Sequence, residues 1–185
     1  MEGKGLFKYS LISLLLGITP IIIIFFIHFS NESSHIISYL FDIANGYQRD
    51  FSEQYLAVST IASAYTKTAP IFVILMYIIC WNKFDIKTIK LDLKRWLKLL
   101  PGVLLLTAGA YYLTYIGVEN MSDSMYRIKR IIAGNEYFLL IYYILLFLTN
   151  YFFIWLFLIY LYLLKGLPFF KSGDNLRFTL NISII

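Results

Sequence analysis

The sequence predicts an all-α, polytopic membrane protein: a four-helix bundle with both termini on the cytoplasmic side. Three observations carry that expectation. Of the 185 residues, 59% are hydrophobic and only 15% are charged, where a soluble domain holds about 45–50% and about 25%. Too little polar surface remains to cover a water-soluble globule, which argues against a soluble enzyme, a nucleic-acid binder and a disordered chain. The apolar residues are gathered into four runs of near-bilayer length. The basic residues stand between those runs, so the net charge of +5 reads as membrane orientation and not as a nucleic-acid footprint. A single cysteine, Cys80, excludes an internal disulfide and a multi-cysteine metal site.

A hydrocarbon core about 30 Å thick needs about 20 apolar residues in helical form. Residues 9–29 carry no charge and give the first span. A cleaved signal peptide would have an apolar region of only about 7–15 residues and a small-residue cleavage site. This run is longer and ends Phe-Phe-Ile-His-Phe, so it reads as a retained helix. The second span, 58–81, holds Lys67 and Pro70. The third runs over 97–118, and the fourth, 137–164, is free of charge and can span with tilt. Backbone polar groups in lipid must be satisfied internally, so each run is expected to be helical.

Orientation follows from the cations. Lys4 and Lys8, then Lys83, Lys87, Lys90, Lys94, Arg95 and Lys98, then Lys165, Lys171 and Arg177 fall in alternate segments. The positive-inside rule makes those segments cytoplasmic. Trp81 and Trp96 flank the middle one, where interfacial aromatics belong. Within the cytoplasmic loop 82–96, basic and apolar residues recur at helical spacing, which fits an amphipathic helix on an anionic leaflet or a solvated basic loop. The stretch HIISYLFDIA in the first outer segment is expected to lie at the interface. The tail 166–185 is polar with apolar interruptions and too short to span again.

Few residues suit chemistry. No carboxylate falls within a span, no familiar catalytic motif is present, and no cofactor is expected. His28 and His35 stand seven apart without a recognisable metal spacing and read as interfacial histidines. Asn150 lies near the middle of the fourth span, where it can hydrogen-bond a neighbouring helix. Arg127, Lys129 and Arg130 form a basic cluster on the outer side, against the orientation bias. They read as part of a charge-balanced loop or as a contact surface for an outer partner. Lys67 is the exception within the apolar runs. It lies 14 residues before Trp81, about 21 Å of helix, which puts it inside the outer edge of the hydrocarbon. It reads equally as a snorkelling anchor or as a polar handle for a partner. Pro70 frees a carbonyl nearby, and the hydroxyls of Thr66 and Thr68 are expected to satisfy it.

The stretch Tyr65-Thr66-Lys67-Thr68-Ala69-Pro70 resembles the Lys-Thr-Ala-Pro element that opens the second transmembrane helix of immunity proteins against A-type pore-forming colicins. Ile18-Thr19-Pro20 is similar to an Ile-Pro in the first helix of that family, and Arg127 to Leu140 has a similar basic-to-apolar arrangement. The resemblance covers about residues 10–165, of which the Lys-Thr-Ala-Pro element is the specific part. The sequence departs at Met121-Ser122-Asp123-Ser124, where the family has a Thr-Thr-Ala-Gly-like loop, and in its longer tail. The resemblance implies a non-enzymatic, multi-pass protein of the bacterial inner membrane. It would bind the hydrophobic helical hairpin of a pore-forming colicin within the bilayer and prevent pore opening. Lys67, Thr68, Pro70, Arg127, Lys129, Arg130 and Asn150 are the candidate partner-binding residues, and membrane lipids are the other partner. Gly102, Ala108, Gly109 and Ala110 would permit close helix approach. The alternatives are an accessory subunit of a membrane complex and a small transporter or channel subunit.

Overall fold

The computed structural model describes residues 3–32, 34–80 and 93–163. It is predominantly helical, and four of its helical segments are long and apolar enough to cross a membrane: Lys8–Ser30, Leu56–Ile79, Leu97–Tyr115 and Glu136–Leu161. The first lies in α1 (Gly3–Ser30) and the last in α7 (Glu136–Leu163). Asn135 begins α7 by accepting hydrogen bonds from the backbone N–H of Tyr137 and Phe138, at 3.0 and 3.2 Å. It thereby satisfies donors that the first turn leaves free.

The second span is not one helix. It comprises α3 (Leu56–Thr66) and α4 (Ala69–Cys80), separated at Lys67 and Thr68. Pro70 is the cause, since it has no N–H to return to the carbonyl four residues back and its ring crowds that carbonyl. The third span, α5 (Leu93–Tyr115), stops three residues short of the expected Val118. Gly117, at φ +87°, turns the chain away in a conformation that favours glycine. The middle loop expected over 82–96 lies mostly outside the described residues, as does the tail 166–185.

α7 is the central element, touching α1, α3, α4, α5 and α6 (Arg127–Ala133), while α1 also packs on α4. Ile21 and Phe25 of α1, Val58 of α3, Val73 of α4 and Leu139, Tyr143 and Phe147 of α7 are fully buried in one core. Helix α1 lies close to its neighbours at Gly17, where an added Cβ would lie 2.6 Å from Phe147 Cζ and 3.3 Å from Phe72 Cγ. Phe147 is fully buried and has little room to yield. Gly17→Ala is therefore expected to cost about 1–3 kcal/mol by overpacking, read as a lower unfolding temperature in detergent. Of the small residues on α5, only Ala110 is buried. Gly102, Ala108 and Gly109 face outward, and an added Cβ at either glycine meets nothing within 4 Å.

One end of the molecule is capped by the two longer connections. α2 (His35–Ala44) runs beside α3, and the chain then turns back along it. The N–H groups of Arg49 and Asp50 donate to Ser63 Oγ at 2.9 and 3.2 Å, and that of Ser52 donates to Ser59 Oγ at 3.0 Å. The segment therefore dips to the level of Ser63 and climbs back. β1 (Asp50–Phe51) pairs in parallel with β2 (Glu119–Asn120), with Asp50 opposite Glu119. A 3-10 turn (Met121–Asp123) and α6 (Arg127–Ala133) complete the cap.

Candidate functional site at the broken helix

The break in the second span leaves backbone groups that neighbouring helices meet. Pro70 removes the partner of the Thr66 carbonyl, and Asn150 of α7 donates Nδ2–H to that oxygen at 3.4 Å. The N–H of Ile71 turns to the Thr68 carbonyl at 2.9 Å, which frees the Lys67 carbonyl. The Tyr115 hydroxyl of α5 donates to it at 2.7 Å. The expectation that threonine hydroxyls fill this role is corrected here. Thr66 Oγ1 donates to Ser63 O at 2.7 Å and Thr68 Oγ1 to Tyr65 O at 2.8 Å. A short hydroxyl reaches back one turn on its own helix, whereas the freed carbonyls point across to α5 and α7.

These bonds set the levels of the elements. The C-terminal turn of α5 is level with Lys67, because Tyr115 reaches the Lys67 carbonyl and Arg49 Nε donates to Ile116 O at 2.7 Å. From there α3 continues for 11 residues, about 16 Å, toward the capped end. Lys67 thus lies well inside the second span, yet beside the point where α5 stops and the polar connections begin.

The Lys67 side chain is half-buried, and its Nζ stands 5.8 Å from the centre of the Tyr115 ring. Among the described residues no carboxylate lies within ion-pair distance of it. It lines an open groove of about 470 Å³ between α2 and α3. Leu40, Ile43 and Tyr47 form one wall, and Ile61, Ala64 and Tyr65 form the other. A cation on such a wall can receive an anionic or carbonyl group presented by an otherwise apolar partner. Thr68 and Pro70 adjoin it in sequence, and Asn150 lies behind the break, buried and bonded to it.

Beside the break is a buried ion pair that the sequence does not announce. Asp50 is fully buried. Its Oδ2 accepts from Tyr142 Oη at 2.6 Å and from Arg49 at 3.2 Å, and its backbone carbonyl accepts from Tyr143 Oη at 2.9 Å. Arg49 also donates to the carbonyls of Leu113 and Ile116. A clamp of this kind ties the first connection to α5 and α7 at once. One local signal exists for it: Ser59, Ser63 and Thr66 recur at steps of four and three and are all buried, a polar stripe on an otherwise apolar helix.

The basic cluster Arg127, Lys129 and Arg130 is separated by its partners. Lys129 donates to Glu119 at 2.5 Å, and Ser124 Oγ donates to the other oxygen at 2.9 Å. The Lys129 ammonium, with Ser124, holds the Glu119 carboxyl below the usual carboxylate range. A carboxyl with a lowered folded value contributes stability at neutral pH that is lost as pH falls from the ordinary glutamate value, about 4.3, through its folded value. Glu119→Gln is expected to flatten that part of the pH–stability curve, measured by thermal unfolding in detergent. Arg130 donates to the Ser124 carbonyl at 2.9 Å, and Arg127 is exposed. Among the described residues, no hydrogen bond or ion pair joins this cluster to Lys67.

His28 is buried against the edge of Tyr55, with Glu32 and Glu136 each 3.8 Å from Nε2. Among the described residues no group of three ligating side chains is placed to hold a metal ion. No protein-family model matches the chain, and comparison with curated proteins and solved structures likewise finds no match.

Proposed function

We propose that the chain is an immunity protein that stops a pore-forming colicin within the bacterial inner membrane. In this reading the four spans form a bundle, the capped end faces the periplasm and both termini are cytoplasmic. The toxin inserts a hydrophobic hairpin from the periplasmic side, and the immunity protein binds it laterally before the pore opens. The observation that carries the reading is Lys67: an ammonium without a carboxylate partner among the described residues, held at a break inside a span and open to a lateral groove. Such a cation is costly in lipid, about 2.5–3.5 kcal/mol on insertion scales at a span centre and less toward the edge where Lys67 lies. That cost is consistent with a role beyond anchoring. Lys67, Thr68, Pro70 and Asn150 form the contact region and its support, while Arg127, Lys129 and Arg130 lie on the toxin's path of entry. The test is expression in a sensitive bacterium challenged with a panel of A-type pore-forming toxins. Survival against one toxin, with receptor binding intact, is the expected result, and sensitivity to all of them contradicts the proposal.

A small transporter is the second reading, favoured by the buried Asp50 carboxylate and its Tyr142 partner. It predicts proton or substrate flux in liposomes that Asp50→Asn abolishes. Flux equal to that of protein-free vesicles rules it out.

A further inference from the structure

We propose that α6 anchors the capped end in the headgroup layer of the membrane by binding anionic phospholipid. The inference does not depend on the toxin. α6 ends at Ala133, and after Gly134 and Asn135 the chain enters the span that begins at Glu136. The helix is therefore fixed at the edge of a span, at interface depth. Its outer side is apolar and open: Met125 is 94% exposed, Tyr126 71%, Ile128 72% and Ile131 50%. Side chains this large and this exposed, contiguous along a short segment, mark an interaction surface. Arg127 and Arg130 are interleaved with them. Neither is paired with a carboxylate among the described residues, whereas Lys129, on the inner side, is neutralised by Glu119.

This pattern is the one that binds a lipid surface: apolar side chains entering the acyl boundary, with guanidinium groups at the depth of the phosphates. Guanidinium presents a fork of donors that matches phosphate oxygens. Under the proposed topology, lipid binding also accounts for cations on a side that ordinarily carries few. Phosphate at that rim neutralises the two that the protein leaves without a carboxylate.

The test places an environment-sensitive fluorophore at Ile128→Cys in a Cys80→Ser background, in the full chain reconstituted into vesicles. Ile141→Cys, an exposed position inside the last span, sets the signal of a site within the hydrocarbon. In phosphatidylcholine vesicles containing phosphatidylglycerol, the probe at 128 is expected to shift to the blue. Shallow spin-labelled lipid should quench it more than deep spin-labelled lipid. For each arginine removed, by Arg127→Gln or Arg130→Gln, the phosphatidylglycerol fraction giving half the shift is expected to rise about fivefold. Quenching by aqueous iodide with none by lipid would overturn the proposal and leave the face for a protein partner. Equal shifts with and without phosphatidylglycerol would overturn the anionic recognition.

Discussion

Lys67→Ala is expected to weaken protection against the cognate toxin strongly while the protein still reaches the membrane at its normal level. The two effects separate because the side chain does little for the fold. Its contact with the face of Tyr115, 5.8 Å away, lies near the limit of about 6 Å for such an interaction and is worth about 0.5–2 kcal/mol at a half-buried site. The structural work at the break is done by the Lys67 backbone carbonyl, which any residue supplies. A contact residue at the centre of an interface costs about 2 kcal/mol or more on truncation, and 2 kcal/mol is a factor of about 30 in the toxin dose giving half survival. Lys67→Arg, which keeps the charge, is expected to retain part of the protection. Full protection by the alanine variant would reduce Lys67 to an anchor.

Asp50→Ala is expected to be the most destabilising single change in the molecule. It removes one member of a buried ion pair and leaves Arg49 with the carbonyls of Leu113 and Ile116 alone. It also deprives the Tyr142 hydroxyl of its acceptor. Breaking a buried pair from one side costs about 3–5 kcal/mol, because a charge stays behind without its partner. Replacing both members by apolar residues of similar volume is often neutral. Arg49→Met combined with Asp50→Leu is thus expected to recover much of the loss. Chemical unfolding of the single and double variants in detergent checks both statements. Additive effects would contradict the coupling.

The four long apolar helices were legible because lipid demands long charge-free runs, and residues 9–29 and 137–164 are such runs. The weakness in the second span was legible too, since Lys67 and Pro70 are local departures within a short window. What satisfies the break was not. Asn150 lies 84 residues from Thr66, and Tyr115 lies 48 from Lys67. The freed carbonyls face other helices, and no spacing rule encodes which residue will stand opposite. Asp50 was missed for a related reason. In sequence it belongs to a connection and not to a span, and only the descent of the first connection along α3 carries it inside. The dip has weak sequence marks: Gly46 at φ +88° and the serines of α3 that hold the returning strand. The three outer cations look alike in sequence, and folding distinguishes them by bringing Glu119 to Lys129 alone.

In the proposed function this chain prevents pore opening from within the membrane, after the toxin has arrived. Membrane potential in cells expressing the protein tests it most directly, recorded while a neutralised toxin from the panel is added and its association with the inner membrane is measured in parallel. The toxin is expected to associate as it does in control cells while the potential is nonetheless held. Depolarisation equal to that of control cells would contradict it, as would a potential held only because the toxin fails to reach the membrane.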